Sequence, residues 1–299
     1  MDRRTFLIGT AGLMLAGCTR RKPSVSVGTK NFTEQIVLGE LVAQTLEQHI
    51  HTPIERRFYL AGTYICQQAI LSGRINVYVE YTGTALAAIL KQSANSDSRA
   101  VFETVRDEYQ RRFQLTVLPS LGFNNSFALA MRGDDARAKG ITRLSQLAAF
   151  APKMRLGVGY EFLERADGFN GLAQTYALQF AAPPSVMDLG LLYRALEAKQ
   201  VDIVAGSNTD GLIAALGLVV LEDDRHYFPP YDAVPIVRTQ SLQEIAGLQS
   251  ALMQLCGSIT TEDMRRMNFA VDGSKQDAAD VARKFLSSRQ TTLNITPRS

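Results

Sequence analysis

The 299-residue chain has no tryptophan, only three histidines and three cysteines, and a charge balance of 32 basic against 29 acidic residues. Each scarcity removes a class of function. Without tryptophan, any aromatic binding surface must be built from tyrosine and phenylalanine. Three cysteines cannot form the disulfide framework of a small secreted scaffold. A net charge of +3, with no basic run longer than Arg20, Arg21 and Lys22, is too mild to argue for a nucleic-acid partner. Long apolar runs are also missing. The only candidate, Phe6 to Ala16, falls short of the roughly 20 residues needed to cross a bilayer.

Catalytic signatures are missing too. There is no GxSxG elbow, no phosphate-cradling GxxxxGK[ST] and no GxGxxG behind a strand. His49 and His51 sit at a polar helix-to-loop transition without nearby thiols or carboxylates, so they are expected to be loop residues and not a metal pair. His226 follows Glu222, Asp223, Asp224 and Arg225 in what reads as a charged, solvated loop. The chain is therefore not expected to be an enzyme or to carry a metal or cofactor.

What is present begins with the N-terminus. Arg3 and Arg4 precede the short apolar run, and Leu15, Ala16, Gly17 and Cys18 match a lipoprotein cleavage box. Residues 1–17 are expected to be an export signal and Cys18 the lipidated residue, with 18–23 as a polar tether. The pair Arg3 and Arg4 also resembles a twin-arginine signal, although Asp2 and Ile8 depart from its usual flanks. The product would be a soluble body held at an extracytoplasmic membrane face. Cys66 and Cys256 are expected to be two separate buried thiols.

Beyond the tether the grammar is strand, loop, helix. Ser24 to Val27 alternates as a strand, and Asn31 with Glu34 three residues later resembles a capping box opening an apolar-faced helix. The same order recurs at Arg57 to Leu60 with Ile65 to Leu71, at Arg155 to Val158 with Phe162 onward, and at Val201 to Ala205 with Thr209 to Leu216. Asp188 is placed to cap a helix carrying Leu189, Leu192 and Leu196. This alternation predicts an α/β architecture with mainly parallel sheets, its ligands at the loops after the strands. Two Gly-, Asn- and Pro-containing crossings, near Gly122 to Ser126 and Phe228 to Pro235, suggest two lobes. The expected division is 24–126 with 233–299 in the first lobe and 127–232 in the second.

Arg74 to Leu86 is the densest stretch. Val77 and Val79 alternate as a strand, Gly83 permits a sharp turn, and Thr82 and Thr84 fall where a helix would begin. Unpaired amides at such a start can hold an anion, with Tyr78 or Tyr81 offering a ring nearby. A packed strand-turn-helix with Thr84 as a plain N-cap is the competing expectation.

Several stretches together resemble one family: TKNFTEQIVLGELVAQTLE (29–47), INVYVEYTGTAL (75–86), LGFNNSFALAMR (121–132), ERADG (164–168), NTDGLIAALGLVVLEDD (208–224) and FPPYDAVPIVR (228–238). In this order they resemble the substrate-binding proteins of osmoprotectant ABC importers, the glycine betaine, carnitine and choline group. The resemblance implies a two-lobed periplasmic-binding-protein fold of type II character that closes over a small quaternary amine, and a membrane permease as partner. It also implies a carboxylate clamp at Lys30, Thr84 and Arg165, and a cation-binding aromatic cage at Tyr81, Phe127, Ser207 and Tyr231. Phe127 and Ser207 stand where the family pattern has tyrosine. Asn125 lies beside the cage, and Tyr64 is placed either to set specificity or to refill the wall opened by Ser207. Failing that, the opening admits a larger betaine of the ergothioneine type, or an amino acid.

Overall fold

The computed structural model describes residues 24–93 and 95–295, with side chains through residue 289. The export signal (1–17), Cys18 and the tether (18–23) lie outside the described residues. Among the described residues, no helix is long and apolar enough to cross a membrane.

The strands are β1 (Val25–Gly28), β2 (Ile54–Arg57), β3 (Val77–Tyr81), β4 (Leu115–Val117), β5 (Phe127–Arg132), β6 (Leu156–Val158), β7 (Ser185–Val186), β8 (Ile203–Ser207), β9 (Leu218–Val220) and β10 (Ala233–Arg238). They form two five-stranded sheets, ordered β2-β1-β3-β10-β4 and β7-β6-β8-β5-β9. The two orders match position for position. Each sheet receives its fourth strand, β10 or β5, directly after one of the two crossings.

The strands are not mainly parallel, as the alternation suggested. In each sheet two neighbouring pairs are parallel and two antiparallel, the antiparallel ones flanking β10 and β5. Parallel pairs arise within a strand-helix-strand unit, which turns the chain round between strands. A strand delivered from the other half has no such helix before it and enters in the opposite sense.

The crossings lie side by side. Asn124 bridges Asp232 in antiparallel fashion, Asn125 N–H donates to Tyr231 O at 2.9 Å, and Ala233 N–H to Phe123 O at 3.1 Å. Thr82 joins the second crossing: its N–H donates to Asp232 O at 3.0 Å and its hydroxyl to Pro230 O at 3.1 Å.

β3 is central in its sheet and buried along its whole length. Val77, Val79 and Tyr81 face the larger core, while Tyr78 faces a second cluster with Cys66, Ile70, Val105 and Tyr109. The period-two alternation separates these two faces. The helix Thr82–Thr84 follows, continuing as a π-helical turn over Ala85–Ile89. Gly83 serves a close approach: a Cβ there would stand 2.8 Å from both Pro230 O and the Tyr231 ring.

Three local expectations shift. The strand placed at Arg57 to Leu60 is Ile54–Arg57, because Tyr59 and Ala61 adopt φ of 60° and 75°, outside any strand. The helix Thr33–His49 starts from Phe32 without a side-chain cap, so Asn31 and Glu34 form no capping box. Cys66 and Cys256 are both free thiols, but only Cys66 is fully buried; burial pushes its thiol up to about 12. Asp188 does cap its helix, accepting from Gly190 N–H at 2.9 Å.

Candidate functional site

The end of β3, both crossings and the loops after β1, β6 and β8 meet between the sheets. Two adjoining side-chain clusters form there.

The first is built on Arg165, which follows the helix Tyr160–Glu164 behind β6 and is 5% exposed. Its Nε donates to Asp167 Oδ1 at 2.8 Å, and Nη2 also bonds the Asp167 carboxylate. Nη1 reaches the opposite sheet's side and donates to Thr84 Oγ1 at 3.0 Å, so Thr84 is a ligand of Arg165 and not a helix cap. The guanidinium carbon lies 5.0 Å from the Phe127 ring centre and 5.7 Å from that of Tyr231. Tyr231 OH donates to Asp167 Oδ2 at 2.6 Å, and Phe127 packs edge-on against Phe162 and Tyr231. Burial opposes the Arg165 charge, but the Asp167 carboxylate more than offsets it and holds the guanidinium above its ordinary range. This edge-on fork leaves Nη1 directed at Thr84.

The second cluster holds Lys30, Tyr81, Asn125 and Ser207. Lys30 follows β1; its Nζ donates to Glu80 Oε1 at 2.5 Å and lies 5.2 Å from the Tyr81 ring centre. The three expected clamp residues are therefore divided: Thr84 and Arg165 touch each other, whereas Lys30 is held by Glu80. Tyr81 OH donates to Glu34 Oε1 at 2.6 Å, Asn125 Nδ2 bonds the same oxygen, and Asn268 Nδ2 donates to Glu34 Oε2 at 3.0 Å. Burial raises the Glu34 carboxyl above its ordinary value, against the pull of these donors.

Ser207 opposes Phe127 in the β5–β8 register. Its hydroxyl bonds Asn125 Oδ1 and lies 2.8 Å from Thr209 Oγ1. The wall at this position is thus a polar chain of Asn125, Ser207 and Thr209. Tyr64 does not refill it: the side chain is 40% exposed, with Lys91 Nζ donating to its hydroxyl at 3.2 Å. Tyr64 lies on the exposed part of the helix Thr63–Leu71, and its ring and hydroxyl both contact Lys91.

Glu34, Glu80, Asp167, Thr209 and Asn268 complete these two clusters, and motif reading did not single them out as binding residues. Glu34 was hidden by a local signal that also fits a helix cap. Asp167 and Thr209 lie within stretches that carry the family resemblance, but their pairing depends on distant partners.

Asp210, two residues beyond the Thr209 neighbour Asn208, receives Ser207 N–H at 2.8 Å and the Tyr193 hydroxyl. Burial pushes its carboxyl up to about 6 despite these two donors, and the charges of Glu34 and Asp272 add to the rise. The native state therefore holds this proton more tightly than the unfolded chain. The stabilisation is complete below the ordinary value of 3.8 and is lost as pH rises through about 6. Asp210→Asn should remove at most about 2–3 kcal/mol of that decline. Urea midpoints followed from pH 4 to pH 7 should show a shallower fall for the variant; parallel profiles would refute the assignment.

The acidic run at 222–224 is held by its own loop and by the segment at Arg143–Ser145. Glu222 pairs with Arg143, Asp223 accepts the Tyr227 and Phe228 amides, and Asp224 accepts Ser145 N–H. Among the described residues no group of His, Cys, Asp and Glu is arranged to hold a metal ion.

Residues 23–288 match the family model described as the substrate binding domain of ABC-type glycine betaine transport system. An ergothioneine transport permease/ergothioneine binding protein of Helicobacter pylori is 34% identical over 94% of this chain, which spans only 50% of that relative. A carnitine transport binding protein of Listeria monocytogenes is 29% identical, with 94% of each chain covered. The crystal structure of a glycine betaine/carnitine/choline ABC transporter protein superposes with a TM-score of 0.75 at 28% identity, covering 89% of this chain and 99% of the other.

Proposed function

This chain belongs to the family of substrate-binding domains of ABC-type glycine betaine transport systems, and from that premise we propose that it captures a betaine-type solute between its lobes and delivers it to a membrane permease. It is a binding component of an importer and not an enzyme. The division into lobes 24–126 with 233–299 and 127–232 is supported by sheet membership, which changes at Phe127 and again at Ala233. Export, and anchoring through a lipid on Cys18, rest on the N-terminal cleavage box.

The observation that carries the ligand class is the meeting of Arg165, Thr84, Phe127 and Tyr231 in one buried junction. A trimethylammonium group has no N–H to donate, so it is recognised by ring faces, each contact contributing roughly 0.5–2 kcal/mol. Phe127, Tyr231 and Tyr81 supply such faces, and each already lies within cation–π range of one of the protein's own cations. A ligand carboxylate would take Arg165 and Thr84. Lys30 is held by Glu80, which neutralises its charge, so it contributes less to such a ligand than Arg165.

The Ser207 wall favours a second, narrower reading. A hydroxyl, an amide and a buried carboxylate in place of a ring suit a larger betaine with a hydrogen-bonding heterocycle, and the Helicobacter pylori relative carries the name of an ergothioneine binder. Titration calorimetry with glycine betaine, carnitine, choline and ergothioneine tests both readings. Ser207→Tyr should tighten small betaines and weaken ergothioneine, by roughly ten-fold in each direction. Binding of an ordinary amino acid, with none of the four quaternary amines bound, would overturn the ligand class.

A further inference from the structure

A contact on the first sheet's helix is supplied from the other side of the cleft. The helix Thr63–Leu71 lies between β2 and β3 and starts from Gly62, which has no side chain to cap it. Glu161, on the helix Tyr160–Glu164 behind β6, fills that place. One carboxylate oxygen accepts Thr63 N–H at 2.6 Å and the other accepts the Thr63 hydroxyl at 3.0 Å. The first-turn amides of a helix have no partner within it and carry partial positive charge, so a carboxylate suits them.

The fit is close. A Cβ on Gly62 would stand 2.0 Å from Glu161 Oε1. Gly62 has φ −93° and ψ −166°, extended backbone open to any residue, so the glycine is required by the approach of Glu161 and not by a turn. One turn along, Arg165 Nη1 lies 3.8 Å from Glu161 Oε2 while donating to Thr84. The short segment from Glu161 to Arg165 thus grips the first sheet's side at two separate places, Thr63 and Thr84. Only Arg165 belongs to the proposed solute site.

We propose that Glu161 is a closure latch: its carboxylate caps Thr63–Leu71 only when the lobes are together, and it thereby sets the open–closed equilibrium without touching the solute. When the lobes separate, both the carboxylate and its two donors return to water, so the net gain on closure is modest and the latch is reversible. A ligand that favours the closed state adds to that gain, and its release is slowed by the same contact. The effect on affinity rests on the proposed solute-receptor function; the effect on closure does not.

The test is small-angle X-ray scattering of the ligand-free protein as wild type, Glu161→Ala, Gly62→Ala and the double variant, each checked for folding by circular dichroism. Glu161→Ala and Gly62→Ala, which alter opposite lobes, should each raise the radius of gyration. The double variant should be no more open than Glu161→Ala, since the added methyl then has nothing to displace. Glu161→Gln keeps an acceptor oxygen and should fall between wild type and Glu161→Ala; it also decides the matter if the alanine variant does not fold. Unchanged scattering of Glu161→Ala, or of Glu161→Gln where that variant must serve, overturns the latch, as does further opening by Gly62→Ala in the Glu161→Ala background. In stopped-flow release of glycine betaine and ergothioneine, Glu161→Ala should speed dissociation roughly ten-fold. If glycine betaine, carnitine, choline and ergothioneine all fail to bind the wild type, the solute reading fails while the scattering comparison still decides the latch.

Discussion

Replacing Lys30 by alanine is expected to lower stability by about 3–5 kcal/mol, the usual cost of orphaning one member of a buried ion pair. Glu80 is 0% exposed, and its Oε2 has no hydrogen-bond partner even with Lys30 present. Without the ammonium, Oε1 keeps only the Tyr81 N–H at 2.8 Å. The double variant Lys30→Met with Glu80→Gln removes both charges and should recover most of the loss. Urea unfolding of the three proteins measures this. A deficit below about 1 kcal/mol for Lys30→Ala, or a double variant no better than the single, would show that the pair is not the support its burial implies.

Arg165→Lys is expected to weaken solute binding by about 2–5 kcal/mol, roughly 30-fold to several thousand-fold. Arg165 uses Nε and Nη2 on Asp167 and keeps Nη1 for Thr84, and an ammonium cannot hold both directions at once. Keeping the positive charge limits the stability loss, because Asp167 is buried and retains a cation beside the Tyr231 hydroxyl. The discriminating measurement is calorimetric affinity set beside the urea midpoint. Near-wild-type affinity would remove Arg165 from the solute site. Lys30→Ala, whose charge is neutralised by Glu80, should lose less affinity than Arg165→Lys despite the larger loss of stability.

Where interactions are local, the chain was legible. The period-two pattern over Val77 and Val79 gave a strand that lies at Val77–Tyr81, and Asp188 caps the helix it precedes. Sheet membership changes at Phe127 and again at Ala233, next to the two stretches rich in proline, glycine and asparagine, whose turn chemistry is written into few residues. Legibility failed where one residue had two possible partners. Asn31 and Glu34 have capping-box spacing, yet Glu34 turns inward to Tyr81, Asn125 and Asn268. A backbone amide is always available at a helix start, but the buried Tyr81 and Asn268 together with the half-buried Asn125 outcompete it, and one of them lies more than two hundred residues away in the chain.

Sequence by itself determined the α/β alternation and the family, since these depend on periodicity and the order of short motifs. Only the tertiary structure decided that the sheets are mixed, that Lys30 belongs to Glu80 and Arg165 to Asp167 and Thr84, that Tyr64 faces outward, and that Glu161 caps a helix across the cleft. The reason is physical. A buried charge is stable only beside a compensating group, and which group lies within hydrogen-bond reach is set by how the two sheets come together, long after local preferences have placed each residue on its own strand or helix.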